Sequence, residues 1–124
     1  ERIGEICASL GNVEYHCQVE NMAFFMSKAD LAVGAAGSSA WERCCLGLPA
    51  VVTVLSADQA GIGEALNEYG AVHNLGWFFN VGVQDYVRAI RALSAEELKS
   101  MAERGMMLVD GLGVRRVVGE LLKA

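Results

Sequence analysis

No run of lysine or arginine occurs in this sequence, and its 10 basic residues are outnumbered by 15 acidic ones, for a formal net charge of −5. A protein that grips a phosphate backbone carries a basic stripe, so nucleic acid is excluded as the partner. No apolar stretch reaches the roughly 18 residues that a membrane-spanning helix needs. Nor is there a charged start with an apolar middle, the pattern of a signal peptide. The four cysteines, Cys7, Cys17, Cys44 and Cys45, include no CxxC, and neither His16 nor His73 stands at metal-ligand spacing to them. The adjacent pair Cys44 and Cys45 cannot easily bond to each other. The expectation is four reduced, mostly buried thiols in a cytoplasmic protein without metal or cofactor. The nucleotide fingerprints GxGxxG and the P-loop are also missing, as are internal repeats and low-complexity tracts.

What remains is a chain built to fold. Of 124 residues, 53% are apolar and 20% charged, which suits one domain with a core. Ile3, Ile6, Cys7 and Leu10 repeat at helical spacing, and Gly11 stops them. NVEYHC (12–17) alternates, with Val13, Tyr15 and Cys17 on one face, and predicts a strand. Met22, Phe25, Met26 and Ala29 predict a helix over about 20–28. DLAVG (30–34) predicts a short strand, 38–46 a helix closed by Gly47 and Pro49, and PAVVTVL (49–55) a strand apolar on both faces. A helix over 58–69 ending at Gly70 and a strand over 71–76 follow. Val83, Val87 and Ile90 mark another helix, and Ser94 with Glu97 a capping box for the next. Val114, Val117, Val118, Leu121 and Leu122 give the last helix an apolar stripe.

Alternating helices and short apolar strands predict an α/β fold: a Rossmann-like parallel sheet with helices on both faces. Such domains usually open on a strand, whereas this chain starts at Glu1 with a helix and offers four candidate strands. The expectation is therefore a single partial domain over 1–124 that lacks its first strand or strands.

Ligands of open parallel sheets sit beyond the carboxyl ends of the strands. GAAGSS lies at one such end. Gly34 and Gly37 let backbone approach a ligand, free amides ahead of the following helix suit a phosphate, and Ser38 and Ser39 add hydroxyls. The plain alternative is a capping box, Ser39 with Glu42, in which Glu42 turns back to an amide. At the next junction, SADQ, Asp58 and Gln59 can hold sugar hydroxyls, or Ser56 and Gln59 can form a second cap. The loop QVEN (18–21) is a third rim position, where backbone can pair with a base edge and Met22 can pack on a flat ring, or can simply be core. Trp41 is expected to pack against the sheet. His16 and His73 have no sequence partner that would make either a catalyst.

The run ADLAVGAAGSSAWERCCLGLPAVVTVLSADQAGIGEAL, above all GSSAWERCCLGLP, resembles the carboxyl-terminal domain of the UDP-sugar hydrolases of pseudaminic acid biosynthesis and the related spore-coat polysaccharide biosynthesis proteins. QVENMAFFMSKADL also fits that pattern, so the resemblance covers about residues 12–76. That family is itself similar to the MurG glycosyltransferases, with their two-domain GT-B fold. The resemblance implies a carboxyl-terminal GT-B domain that grips UDP while water cleaves the anomeric C–O bond of a UDP-linked diacetamido-trideoxy-hexose.

It further implies that Gly37, Ser38 and Ser39 face the diphosphate, Glu42 the ribose, and Val19 with Met22 the uracil. Asp58 and Gln59 would approach the sugar, although SADQ departs from the ADNQ-like form expected there. The family's general base is a histidine of an amino-terminal catalytic domain that is absent here, so the chain alone is expected to be inactive. Two alternatives stay open: half of a glycosyltransferase of the same fold, and a nucleotide-binding or assembly module without chemistry. Missing strands would also leave a sheet edge bare and inviting self-association.

Overall fold

Every residue of Ala50–Val54 is buried, and the rest of the fold is arranged to bury it. A computed structural model describes residues 2–123. In chain order it contains α1 (Arg2–Ala8), α2 (Met22–Lys28), β1 (Ala32–Ala35), α3 (Ser39–Cys45), β2 (Ala50–Val54), α4 (Ala57–Tyr69) and β3 (Val72–Trp77). A 3₁₀ turn (Phe78–Asn80), α5 (Val83–Ala92), α6 (Ala95–Leu108) and α7 (Gly113–Lys123) follow. The strands form one parallel sheet in the order β1-β2-β3. With a neighbour on each side and helices above and below, β2 has no wet face, which is why it reads as a continuous β-branched run.

Alternate residues of β2 point to opposite faces. Ala50, Val52 and Val54 share a cluster with Ala40 and Cys44 of α3 and Leu66 of α4. On the other face Thr53 Oγ1 lies 2.5 Å from Tyr86 Oη of α5, so the one buried polar side chain among the described residues has its partner. Helices therefore cover both faces, as the alternation predicts. α6 crosses α3 closely: a Cβ on Gly105 would stand 3.1 Å from Cys44 Cα, so a larger residue there would push the two helices apart by a few tenths of an ångström. Gly70 closes α4 at φ +89°, returning its amide to the Leu66 and Asn67 carbonyls.

The remaining boundaries follow local chemistry. Ser94 Oγ accepts from the Glu97 amide at 3.1 Å, so the N-cap half of the predicted box forms, while the Glu97 carboxylate accepts from the Ser94 hydroxyl at 3.3 Å and not from its backbone amide. At the start of α5 the Asp85 carboxylate accepts from the Gly82 amide at 2.7 Å and from Arg88 at 2.6 Å. The amide first and the guanidinium second hold its pKa below the ordinary carboxylate value. A folded value below the unfolded one means that the stabilisation is complete above about pH 4, the usual Asp range, and fades as pH falls through the folded value. Asp85→Asn is accordingly expected to lower the melting temperature on the neutral plateau and to change it little at the acid end, so that the acid limb flattens, which a set of calorimetric scans will check.

Two expectations need correction, the strand over 12–17 and the burial of the thiols. The segment 12–17 is not a strand, so the sheet has three strands and not four. Val13, Tyr15 and Cys17 alternate, but alternation makes a strand only where a ladder partner and a face to bury exist; here all three are exposed. Among the described residues no strand pairs with the second edge of β1. The stripe of α7 forms, yet it faces solvent, with Leu122 82% and Val114 77% exposed. The thiols are free as expected but not mostly buried: Cys44 alone is, Cys7 and Cys45 are half-buried, and Cys17 is exposed. Burial pushes the Cys44 thiol up from its ordinary pKa, ahead of the opposing influence of Arg43. Iodoacetamide at neutral pH should therefore label Cys17 first and Cys44 only after denaturation; mass spectrometry that finds Cys44 carbamidomethylated in the native protein contradicts this packing.

Candidate functional site

The carboxyl ends of β1 and β2 and the helices that follow them form one rim. From β1 the chain runs through Ala36, fully buried with its amide on the Thr53 carbonyl at 3.0 Å, into the turn Gly37-Ser38-Ser39. The amides of Gly37, Ser38 and Ser39 donate to no protein acceptor among the described residues. The Gly37 and Ser38 carbonyls already accept from Ala40 and Trp41, so the turn is tight and its amides stay outward. Neither alternative cap is made. Ser38, not Ser39, precedes the helix, with α-helical backbone and no side-chain cap, and Glu42 is exposed. The two serines are left with free hydroxyls because the first turn does not consume them.

Gln59 ties the second junction to the first. Its Oε1 accepts from the Leu55 amide at 3.0 Å, and its Nε2 lies 3.1 Å from where a Cβ on Gly37 would stand. Glycine at 37 thus leaves room for a carboxamide donor directly over the turn. Ser56 does not cap α4; its hydroxyl donates to Asp58 Oδ1 at 2.5 Å. Asp58 is exposed and held in that local bond, turned to its neighbour and not to the turn.

α2 and α3 frame two grooves. One, about 350 Å³, takes Met22 and Met26 of α2 with Ser39 and Arg43 of α3. The other, about 370 Å³ and almost wholly apolar apart from its acid, joins Ala23 to Trp41, Glu42 and Cys45. The structure therefore brings Met22 to Ser39, and Glu42 beside the neighbour of Met22, but puts Met22 and Glu42 in different grooves. Val19 is half-buried in the loop ahead of α2 and lines neither groove. Trp41 does not pack against the sheet as expected; at 38% exposed it is the wall of the Glu42 groove, because position 41 falls on the outer side of α3 while Ala40 and Cys44 take the inner side. His16, 3.2 Å from Glu14, and His73 are both exposed and distant in sequence from the rim turns.

Two features were missed by sequence reasoning. Arg43 reaches under β1, where Nη1 donates to the Ala35 carbonyl at 3.2 Å and Nη2 would lie 2.6 Å from a Cβ on Gly34. Burial pulls its pKa below the usual guanidinium value, with Cys44 and Glu42 opposing. The signal was present: Gly34 is small because a guanidinium passes it, and Arg43 falls four residues after Ser39, on the same helix face. The second feature is an irregularity in β3, where Val52 pairs with Asn74 but Val54 pairs with Trp77.

Over 106 residues, 84% of the chain, the sequence is 32% identical to the spore coat polysaccharide biosynthesis protein SpsG of Bacillus subtilis (strain 168), and the match spans 31% of that protein's length. No protein-family model matches the chain. The α/β architecture with a parallel sheet flanked by helices is thus joined to a sequence similarity to this spore coat polysaccharide biosynthesis protein, of which the chain spans 31%.

Proposed function

We propose that the chain is the UDP-gripping portion of a nucleotide-sugar enzyme of polysaccharide biosynthesis, with the whole protein releasing UDP from a UDP-linked sugar by hydrolysis. The observation that carries the reading is the Gly37-Ser38-Ser39 turn, whose outward amides and unused hydroxyls sit under the Gln59 carboxamide at the carboxyl rim of a parallel sheet. Donors without acceptors suit an anion, and a diphosphate offers several acceptor oxygens at once. The Arg43 guanidinium, in the same groove as Ser39, adds positive charge there. Kinship with SpsG, a protein named for polysaccharide biosynthesis, supports a nucleotide-linked sugar as the class of ligand.

In this reading Glu42 accepts from the ribose hydroxyls, since it lies one turn beyond the phosphate-facing serines. Uracil sits toward Val19 and Met22. When the anomeric C–O bond breaks, negative charge grows on the departing diphosphate, and fixed donors stabilise it without reorganising. No residue of the chain is assigned the base that activates water, so the chain alone is expected to bind UDP without turning over a UDP-sugar. Titration with UDP and UMP, followed by backbone amide NMR, tests the grip. The expected result is large shifts at Gly37–Glu42, stronger with UDP; a silent turn at millimolar UDP would sink the proposal.

A further inference from the structure

The notch between α4 and the end of β3 is a second feature of the same rim. It encloses about 230 Å³ between Val54, Ala60, Glu64, Asn74, Gly76 and Trp77. At the ~30 Å³ that a water occupies in the liquid, this is room for roughly eight waters, close to one hexose ring. One of its walls is Ala60, which follows Gln59 in α4.

How the notch acquires its polar and aromatic groups is legible in the ladder. In a regular strand, residues three apart point to opposite faces. Asn74 pairs with Val52 and Trp77 with Val54, and Val52 and Val54 share a face, so the extra residue in β3 turns Asn74 and Trp77 to the same side. Gly76 takes φ +95° inside this bulge, where a side chain would be strained. Its amide donates to Asn74 Oδ1 at 3.0 Å, which fixes the orientation of the carboxamide. Asn74 Nδ2 then donates to no protein acceptor among the described residues, and it is not a sealed orphan. Gly63 leaves space for it, since a Cβ there would stand 2.9 Å away. Across the notch Glu64 is exposed and pairs with no cation among the described residues. Trp77 is braced on one face by Phe79, with ring centroids 5.5 Å apart.

A carboxylate acceptor, a free carboxamide donor and an indole around a ring-sized space suit a pyranose, which offers vicinal hydroxyls at its rim and C–H groups on its face. We infer that the notch of Glu64, Asn74 and Trp77 holds the hexose of the nucleotide sugar, the bulge in β3 having brought the last two together. This rests on the nucleotide reading above, and it moves the sugar contact from Asp58, whose carboxylate is held by Ser56, to the middle of α4.

The test uses the full chain, ¹⁵N-labelled, with UDP, UDP-N-acetylglucosamine and free N-acetylglucosamine as probes. The nucleotide sugar should bind about tenfold more tightly than UDP, as one charge-assisted hydrogen bond allows, and should shift the Asn74 side-chain and Trp77 indole resonances that UDP leaves still. Glu64→Gln, on an exposed helix face, should erase that gain and leave UDP affinity unchanged. UDP binding with those two resonances unmoved by the nucleotide sugar overturns the notch and spares the nucleotide grip. Shifts with free N-acetylglucosamine but none with UDP keep the notch and sink the grip. Silence from all three probes overturns both.

Discussion

Leu66→Ala will lower the stability of the chain by about 2–5 kcal/mol, the range for a large-to-small change at a fully buried site. Leu66 is 1% exposed and is the fully buried large side chain by which α4 enters the cluster of Val52, Val54, Cys44 and Ala40, with Ile62 packed against its edge. Its neighbours are mostly alanine and valine, short side chains that cannot swing into the space that Leu66 vacates. The cavity term therefore persists and the loss belongs toward the upper end of the range. Natural domains hold roughly 5–15 kcal/mol in all, so the variant should be close to unfolding at 37 °C. Urea denaturation followed by far-UV circular dichroism measures the effect as a shifted midpoint with little change of slope. Leu122→Ala is the control. It removes the same atoms from a residue 82% exposed, and surface changes of this kind stay within about 0.5 kcal/mol. Equal losses in the two variants would mean that the chain buries α7 and not α4, and the described core would be wrong.

The contrast between those two leucines also marks how far the sequence can be read. Periodicity shows that a helix has an apolar side; it does not show what that side meets. α7 carries the sharper apolar stripe and α4 only a weak one, yet the fold buries Leu66 of α4 and leaves the stripe of α7 in solvent. The same limit explains segment 12–17. Alternation there is genuine, yet a ladder needs a neighbour, and sequence contains no record of which edges are filled. What was legible depended on chemistry that is local. β2 announced itself because burial on both faces leaves no charged position and a single hydroxyl, Thr53. Gly70 and the Ser94–Glu97 pair marked helix ends because caps are set within a few residues.

The rim turn was legible for that reason, and its contents less so. Small residues and hydroxyls between Gly34 and Ser39 follow from a tight turn at a strand end, and the structure has that turn. The capping boxes at Ser39 and Ser56 matched their patterns and still did not form, because Ser38 takes the cap position at α3 and Ser56 turns to Asp58 instead. Asn74 and Trp77 were invisible as partners because they meet through a bulge defined only by the β2 ladder, and Arg43, for which Gly34 is a local signal, reaches Ala35 only through tertiary contact with β1.

Glu42→Gln is expected to weaken UDP about 10- to 150-fold, the equivalent of the roughly 1.5–3 kcal/mol of a hydrogen bond to a charged group. The substitution keeps the side chain's size and removes its charge, so it spares the packing of Trp41 and Cys45 around the groove that Glu42 lines. An exposed carboxylate contributes nothing to the core, so the melting temperature should hold while affinity falls. What identifies the ribose as its partner is a comparison of ligands. A carboxylate that accepts from the pentose loses part of its bond when the 2′-hydroxyl is removed, so 2′-deoxy-UDP should bind less well than UDP to the native chain. The same two ligands should bind nearly alike to Glu42→Gln, because the discriminating acceptor has gone. Ser38→Ala with Ser39→Ala should show the opposite pattern, weakening UDP more than uridine and leaving the preference for the 2′-hydroxyl in place. If Glu42→Gln binds UDP as the native chain does, or if the deoxy penalty survives in it, the carboxylate has another role and the pentose lies elsewhere on the rim.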